Sequence, residues 1–473
     1  MLFNSITFAA FLPVVFALYW LAARNFKIQN VILLVASYVF YAWWDWRYLF
    51  LIAGCSAVNF LAGGWIYKAH SAWTRRALLT LCCLTCLGTL CVFKYFNFFT
   101  DSFARLFACI GIHWSPWVLN LALPVGISFF TFQALSYTID IALGRMKPTH
   151  NLIDFFVFIS FFPQLVAGPI ERASNLLPQF QKTRAFDFDA ATHGVSLVAY
   201  GLFKKMVVAD TLSLYVDKVF GDPMFYTSTT CLIGALFFSV QIYCDFSGYS
   251  DVARGVARLF GFELMLNFDR PYLSRSFSEF WRRWHISLSS WFKDYVYIPL
   301  GGNRVPFPRL LCNLWIVFLL SGLWHGASWA FVAWGALHAL CLSIGAIRAK
   351  LVKTMHLDVH KLPSFFQIFI VNVGVVFAWI FFRAGTLDNA VVYLNALFRC
   401  QFKSTLMALC AGTGPMHFAF CGIAVLLLAS SYLLPRDCRM VSLKGRMLFS
   451  VSCIAAIVFL GMPSGGEFIY FRF

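Results

Sequence analysis

The sequence predicts an all-α, polytopic integral membrane protein with about 11–13 transmembrane or re-entrant helices, and three observations predict it. Hydrophobic residues make up 60% of the chain and charged residues only 12%, with a mean hydropathy of +0.74. So much apolar surface cannot be hidden in a soluble core. The apolar residues also come in continuous runs close to the roughly 20 residues that a spanning helix needs. Those runs are too long and unbroken for the short alternating strands of a closed barrel, the other structure that satisfies its backbone in lipid.

In chain order the candidate helices lie near 3–22, 28–42, 49–66, 77–93, 117–143 and 152–166, then 195–209, 231–243, 310–347, 365–382, 417–434 and 448–461. The 310–347 run is long enough for two passes, and several of the others are short enough to be re-entrant. Met1 leads almost directly into apolar sequence with no small-x-small cleavage pattern, so the first run is expected to be retained as a helix. No repeat or low-complexity tract is visible, so residues 1–473 read as a single membrane domain.

Thirty-seven basic against twenty acidic residues give a net charge of +17. In a soluble protein that excess would raise the question of nucleic acid. Here Lys and Arg gather in short loops, at 68–76, 270–309 and 348–361, as expected of loops facing the cytoplasm, and no nucleic-acid partner is expected. The fifteen cysteines are scattered through apolar segments, with Cys82, Cys83, Cys86 and Cys91 the only cluster. Without a second ligand pair in a polar loop they read as small hydrophobes, and no metal is assigned.

Segment 270–309 carries Arg270, Arg275, Arg282, Arg283, Lys293, Arg304 and Arg309 against Glu279 and Asp294, interleaved with tryptophan, tyrosine and phenylalanine. Short interfacial or partly buried helices are expected here, stopped by Pro299, Gly301 and Gly302. A plain membrane anchor would use the arginines and aromatics, but has no use for His285, Ser287, Ser289 and Asn303. The segment is therefore read as carrying part of a site.

Residues 310–347 contain no Asp, Glu, Lys or Arg, yet hold His325 near their middle. A titratable group in hydrocarbon is costly and marks a functional site by default. If helical throughout, this stretch would be about 57 Å long, nearly twice the roughly 30 Å hydrocarbon thickness. A hairpin turning near residues 326–329 is expected instead, with both ends cytoplasmic and His325 close to the turn. The small neighbours Ser321, Gly322, Gly326, Ala327 and Ser328 suit close helix packing and an access channel equally, and a structural histidine bonded to a neighbouring helix is the alternative reading. His338 is read as structural.

A buried neutral imidazole can act as general base toward a hydroxyl. Acyl transfer from a thioester needs that base, a good leaving group, orientation and exclusion of water. The chain shows no Gly-x-Ser-x-Gly elbow, phosphate loop or dinucleotide fingerprint.

The stretch FSEFWRRWHISLSSWFKDYVYIPLGGNR (277–304), followed by SGLWHGASWAFVAWGALH (321–338), closely resembles the membrane-bound O-acyltransferases, in particular the bacterial alginate O-acetyltransferase branch. FFPQLVAGPIERASNLLPQF (161–180), YCDFSGYSDVARGVARLFGF (243–262) and FFRAGTLDNA (381–390) extend the resemblance over most of the chain. It implies a multi-helix fold around a central tunnel, with His325 as the catalytic histidine and His285 as the second active-site residue. It also implies a bacterial inner-membrane protein with no permanently bound cofactor. Such a protein takes an acyl group, here acetyl, from a cytoplasmic thioester donor, acetyl-CoA or an acyl carrier, and delivers it toward an extracytoplasmic polysaccharide with an accessory periplasmic or cell-surface acetyltransferase.

On this reading Arg282, Arg283 or Lys293 attracts the donor's phosphates, His325 deprotonates the acceptor hydroxyl or first takes the acyl group itself, and His285 orients or polarises the thioester carbonyl. Asp245 and Asp251 are expected to bond helix to helix. The aromatic tail GGEFIYFRF (465–473) reads as an interfacial anchor. D-alanyl transfer to teichoic-acid-type polymers, a transporter and a non-enzymatic scaffold are the competing readings. The hairpin predicts that topology reporters fused at Arg309 and at Arg348 report the same face of the membrane; opposite faces would defeat it.

Overall fold

The computed structural model describes residues 1–356, 362–402, 405–433, 442–462 and 468–469, and all regular structure among them is helical. Seven helical stretches among the described residues are long and apolar enough to cross a membrane: Phe26–Lys68, Ala72–Cys109, Ser228–Leu259, Phe307–His325, Trp329–Thr354, Ser364–Ala384 and Leu443–Leu460. Three shorter apolar helices, Ile6–Leu21, Leu387–Phe398 and Pro415–Ser431, accompany them. The chain is a multi-pass membrane protein. Many helices begin where a short polar side chain accepts an otherwise orphaned N–H: Ser5, Asn25, Ser71, Asn151, Ser276, Ser328 and Thr386 all cap in this way.

Two expected spans are shorter than their apolar runs. Of 117–143 only Ile127–Ala142 is helical, and Pro124 within the run lacks the N–H a continuous helix would use. Gly126 then turns the chain at φ +76°, where a Cβ would lie 2.7 Å from the Leu165 carbonyl oxygen. Of 152–166 the helix Leu152–Ser160 covers nine residues, about 14 Å and too short to span. Pro163 and Gly168 fall in the turns that follow it. In the other direction, the run at 231–243 lies in the first half of a 32-residue helix, Ser228–Leu259.

The chain divides into two compact units. The first comprises Met1–Val195 and Val252–Met265, the second Ser196–Asp251 and Leu266–Phe473. Polar groups inside the first unit are paired across long sequence separations. Asn30 donates to Asp154 Oδ1 and to the Phe180 carbonyl, both at 2.8 Å, and its own oxygen accepts from Arg184 at 2.6 Å. Asn59 Oδ1 accepts from Thr138 at 2.7 Å and from the Cys82 thiol, and its amide donates to Cys86 Sγ at 3.2 Å. Cys82 and Cys86 are buried on one face of Ala72–Leu90. Such pairing is what makes polar side chains tolerable in lipid.

The second unit is built on the hairpin Phe307–His325 and Trp329–Thr354, which turns at 326–328 as the charge-free stretch predicts. Two glycines let its arms touch backbone to backbone. A Cβ at Gly322 would lie 2.3 Å from the Phe331 carbonyl oxygen, and one at Gly335 would lie 2.2 Å from that of Phe318. At the turn, a Cβ on Gly326 would run into the Phe331 ring at 2.2 Å. The small-residue pattern around His325 thus serves helix packing. Elsewhere in this unit, Lys204 pairs with Asp251 at 2.5 Å, and Lys205 with Asp245 at 2.7 Å and Asp210 at 2.9 Å. Asp245 and Asp251 therefore hold helices together, as expected of them.

Because the obstruction at Gly335 is main chain, it cannot swing away as a side chain would. Gly335→Leu is expected to destabilise the protein by about 3 kcal/mol or more, read as a lowered thermal midpoint in detergent. Gly345→Leu, where no atom lies within 4 Å of the added Cβ, is expected to leave that midpoint nearly unchanged.

Candidate active site

Segment 270–309 forms the short helices expected of it. Phe277–Arg283 and Ile286–Phe292 are separated by Trp284 and His285, and a π-helical turn, Lys293–Tyr297, follows. Ser276 caps the first helix by accepting from the Glu279 N–H, and Glu279 in return accepts from the Arg275 N–H at 2.8 Å. Beyond the π turn, Gly301 and Gly302 take φ +102° and +55°, ending the helical run.

His285 stands at the break between the two helices with φ +43°, a left-handed conformation that costs a non-glycine residue roughly 1–2 kcal/mol. Neighbouring strands of main chain hold it there. Asp269 N–H donates to the Arg283 carbonyl and Ile286 N–H to the Asn267 carbonyl, both at 2.9 Å. Strain at a position fixed in this way is common at functional sites.

The ring of His285 is fully buried. Phe246 meets it edge-on at 4.6 Å and Trp324 at 5.7 Å. His325, the last residue of its helix and 2% exposed, lies with its ring centroid 6.2 Å from that of His285. Trp334 at 4.9 Å, Trp324 at 5.0 Å and Phe382 at 5.3 Å wall the His325 ring. The structure therefore brings together two imidazoles that are forty positions apart in sequence, inside a box of aromatic faces. Removal from water disfavours the charged form, and pushes His285 down from its ordinary value to about 3. At neutral pH it is an uncharged imidazole.

His338 is tied to the same group of residues. Its Nδ1 accepts from the Trp281 indole N–H at 3.3 Å, and its ring lies 4.9 Å from that of Trp334. This bond anchors helix Phe277–Arg283 to the hairpin, a structural duty in keeping with the sequence reading. The three cations expected to draw donor phosphates are placed differently from the histidines. Arg282 and Lys293 are exposed, whereas Arg283 is half-buried and paired with Glu279 at 2.6 Å.

Two features of the site escaped sequence reasoning. Asn267, eighteen positions before His285, is fully buried and bonded to it; nothing marks this asparagine except its position next to the aromatic-basic segment. The tail is the other. Phe468 is 2% exposed and packs on Tyr249 at 4.9 Å and Phe246 at 5.8 Å, while the Ile469 N–H donates to Asp245 Oδ2 at 2.8 Å. This part of the tail is a buried wedge rather than an interfacial anchor; residues 465–467 and 470–473 lie outside the described residues.

Two hydrogen-bonding imidazoles in a dry, aromatic-lined site suit proton transfer to and from a hydroxyl, with water excluded. Comparison with known proteins points the same way. The chain is 41% identical over 406 residues to the probable alginate O-acetylase AlgI of Pseudomonas aeruginosa, covering 84% of this chain and 75% of that protein. It is 35% identical over 428 residues to the peptidoglycan O-acetyltransferase of Helicobacter pylori, covering 84% and 80%. The teichoic acid D-alanyltransferase of Bacillus subtilis is 28% identical over 247 residues, covering 47% and 59%. Residues 145–384, which include both histidines, match the profile of the membrane-bound O-acyltransferase family. The chain belongs to that family and is an O-acyltransferase.

Proposed function

We propose that this protein moves an acetyl group from a cytoplasmic thioester donor, acetyl-CoA or an acyl carrier, toward O-acetylation of an extracytoplasmic polysaccharide, an alginate-like polymer or peptidoglycan. It works from the bacterial inner membrane together with a periplasmic or cell-surface acetyltransferase. The observation that carries the reading is the buried imidazole pair, 6.2 Å between ring centroids. Its support from comparison is that the two acetylating relatives match over 84% of the chain and the D-alanylating one over 47%.

In this reaction the hydroxyl proton passes to an imidazole as its oxygen bonds to the thioester carbon. The C–S bond breaks, and the leaving thiolate recovers the proton. His325 takes the hydroxyl proton, or first accepts the acyl group on its own ring, and His285 orients the reacting groups. The aromatic walls exclude the water that would otherwise hydrolyse the thioester. Arg282, Arg283 and Lys293 lie on the segment whose positive charge draws the donor's phosphates.

The test is ester-linked acetate on envelope and secreted polysaccharide in a deletion strain complemented with wild type, His325→Ala or His285→Ala at matched protein levels. Each variant is expected to fall about 100-fold or more below wild type. Full restoration by His325→Ala would reject its catalytic role, and D-alanine esters in place of acetate would reject the acetyl assignment. In purified protein, a His285 that charges only near pH 3 stays neutral through the range around 6.5 where an exposed imidazole titrates. His285 is therefore expected to stay uncharged between about pH 7.5 and 5.5, read from its own ring 15N signals. A His285 signal titrating at about 6.5 would show that this imidazole is solvated.

A further inference from the structure

We infer that Asn267 is a positioning residue that fixes His285 as the tautomer with its proton on Nδ1, so that His285 enters the reaction as an acceptor at Nε2 and not as a donor to the thioester carbonyl. The inference rests on the reading of His285 as part of the active site and deepens it.

The argument begins from which end of the Asn267 amide is oxygen. The atom assigned as Oδ1 lies 3.3 Å from the main-chain N–H of Ser287, which is a donor with no alternative. Turning the amide over would set two donors against each other, so the oxygen assignment follows from chemistry. The opposite end of the amide agrees, since Nδ2 donates to the Ser250 hydroxyl at 3.2 Å. His285 Nδ1 faces the same oxygen at 3.2 Å. A carbonyl oxygen can only accept, so Nδ1 must carry hydrogen. The Ser287 hydroxyl, which could otherwise donate to Nδ1, lies 3.5 Å from that nitrogen and 3.0 Å from the Asn267 oxygen, and its hydrogen goes to the nearer acceptor.

In a neutral imidazole only one nitrogen is protonated. With the proton held on Nδ1, the lone pair belongs to Nε2. That state can take a hydrogen bond or a proton from a hydroxyl or from another imidazole, but it has no N–H at Nε2 with which to polarise a carbonyl. The polarising role raised for His285 from sequence is therefore replaced by an accepting one. Asn267 holds the same turn through its main chain as well, by accepting from Ile286 N–H at 2.9 Å. One residue thus fixes both the left-handed backbone of His285 and the hydrogen on its ring. Asn267, Ser287 and His285 are all 0% exposed and Ser250 is 1% exposed, so water does not compete for these bonds. A second group that sets a histidine's tautomer is a recurrent arrangement in catalysis.

The experiment uses full-length protein in lipid nanodiscs with 15N-labelled imidazoles, the His285 signals being identified by their loss in His285→Gln. Wild type is expected to show protonated Nδ1 and bare Nε2 at pH 7. Asn267→Ala is expected to lose that preference and to lower acetyl transfer 10- to 100-fold. Asn267→Asp keeps an acceptor at the same place but adds negative charge. It is expected to retain the Nδ1–H tautomer, raise the His285 titration midpoint by at least one pH unit, and recover transfer above the new midpoint. A purely structural asparagine would lose activity in both variants with tautomer and pH profile unmoved. An Nε2–H signal in wild type overturns the inference, as does an unchanged tautomer in Asn267→Ala. If Asn267→Ala does not fold, the wild-type spectrum and Asn267→Asp decide alone. Absence of acetyl transfer in wild type with the Nδ1–H tautomer present would reject the proposed function and leave the tautomer assignment standing.

Discussion

Everything in this protein follows from placing hydrogen-bonding groups where water does not reach. In hydrocarbon an unmet polar atom costs several kcal/mol, so pairing such groups within the chain is strongly favoured. Asn30 meets Asp154, Arg184 and a main-chain carbonyl in one unit. In the other, Lys204 and Lys205 are matched by Asp251, Asp245 and Asp210. The same requirement shapes the site, where dryness makes an uncharged imidazole useful and also obliges Asn267 to hold it.

Glycine provides the second constraint. The hairpin arms approach so closely at Gly322 and Gly335 that main-chain oxygens occupy the places of missing Cβ atoms. That contact sets where the end of Phe307–His325 falls, and therefore where the His325 ring meets Trp334 and Phe382. Packing and the proposed chemistry are not separable here, because His325 is also the last residue of a helix whose position is fixed by close contact.

The parts legible in the sequence were those governed by composition over long windows. The hairpin was readable because 310–347 lacks charge and exceeds one membrane thickness, and His325 stood out because a titratable group there is anomalous. The short helices of 270–309 were readable from their mixture of basic and aromatic residues. What stayed hidden depends on single atoms meeting across the fold. Asn267 has no anomalous composition around it, and its importance lies in a hydrogen bond and a main-chain contact. The run at 117–143 looked like one helix because hydropathy is blind to the missing N–H group of Pro124.

The bond from Ile469 N–H to Asp245 spans 224 positions, and it carries a consequence for how the chain matures. Asp245 lies in a helix that is made and inserted long before residue 469 leaves the ribosome, and Lys205 is at hand early to balance its charge. Its second oxygen has to wait for residue 469, as the faces of Phe246 and Tyr249 wait for Phe468. Contacts of such separation form late. The wall behind His285 is therefore completed only once residues 468 and 469 have been made and have packed against it, so a nascent chain that stops short of them carries both histidines without the finished site.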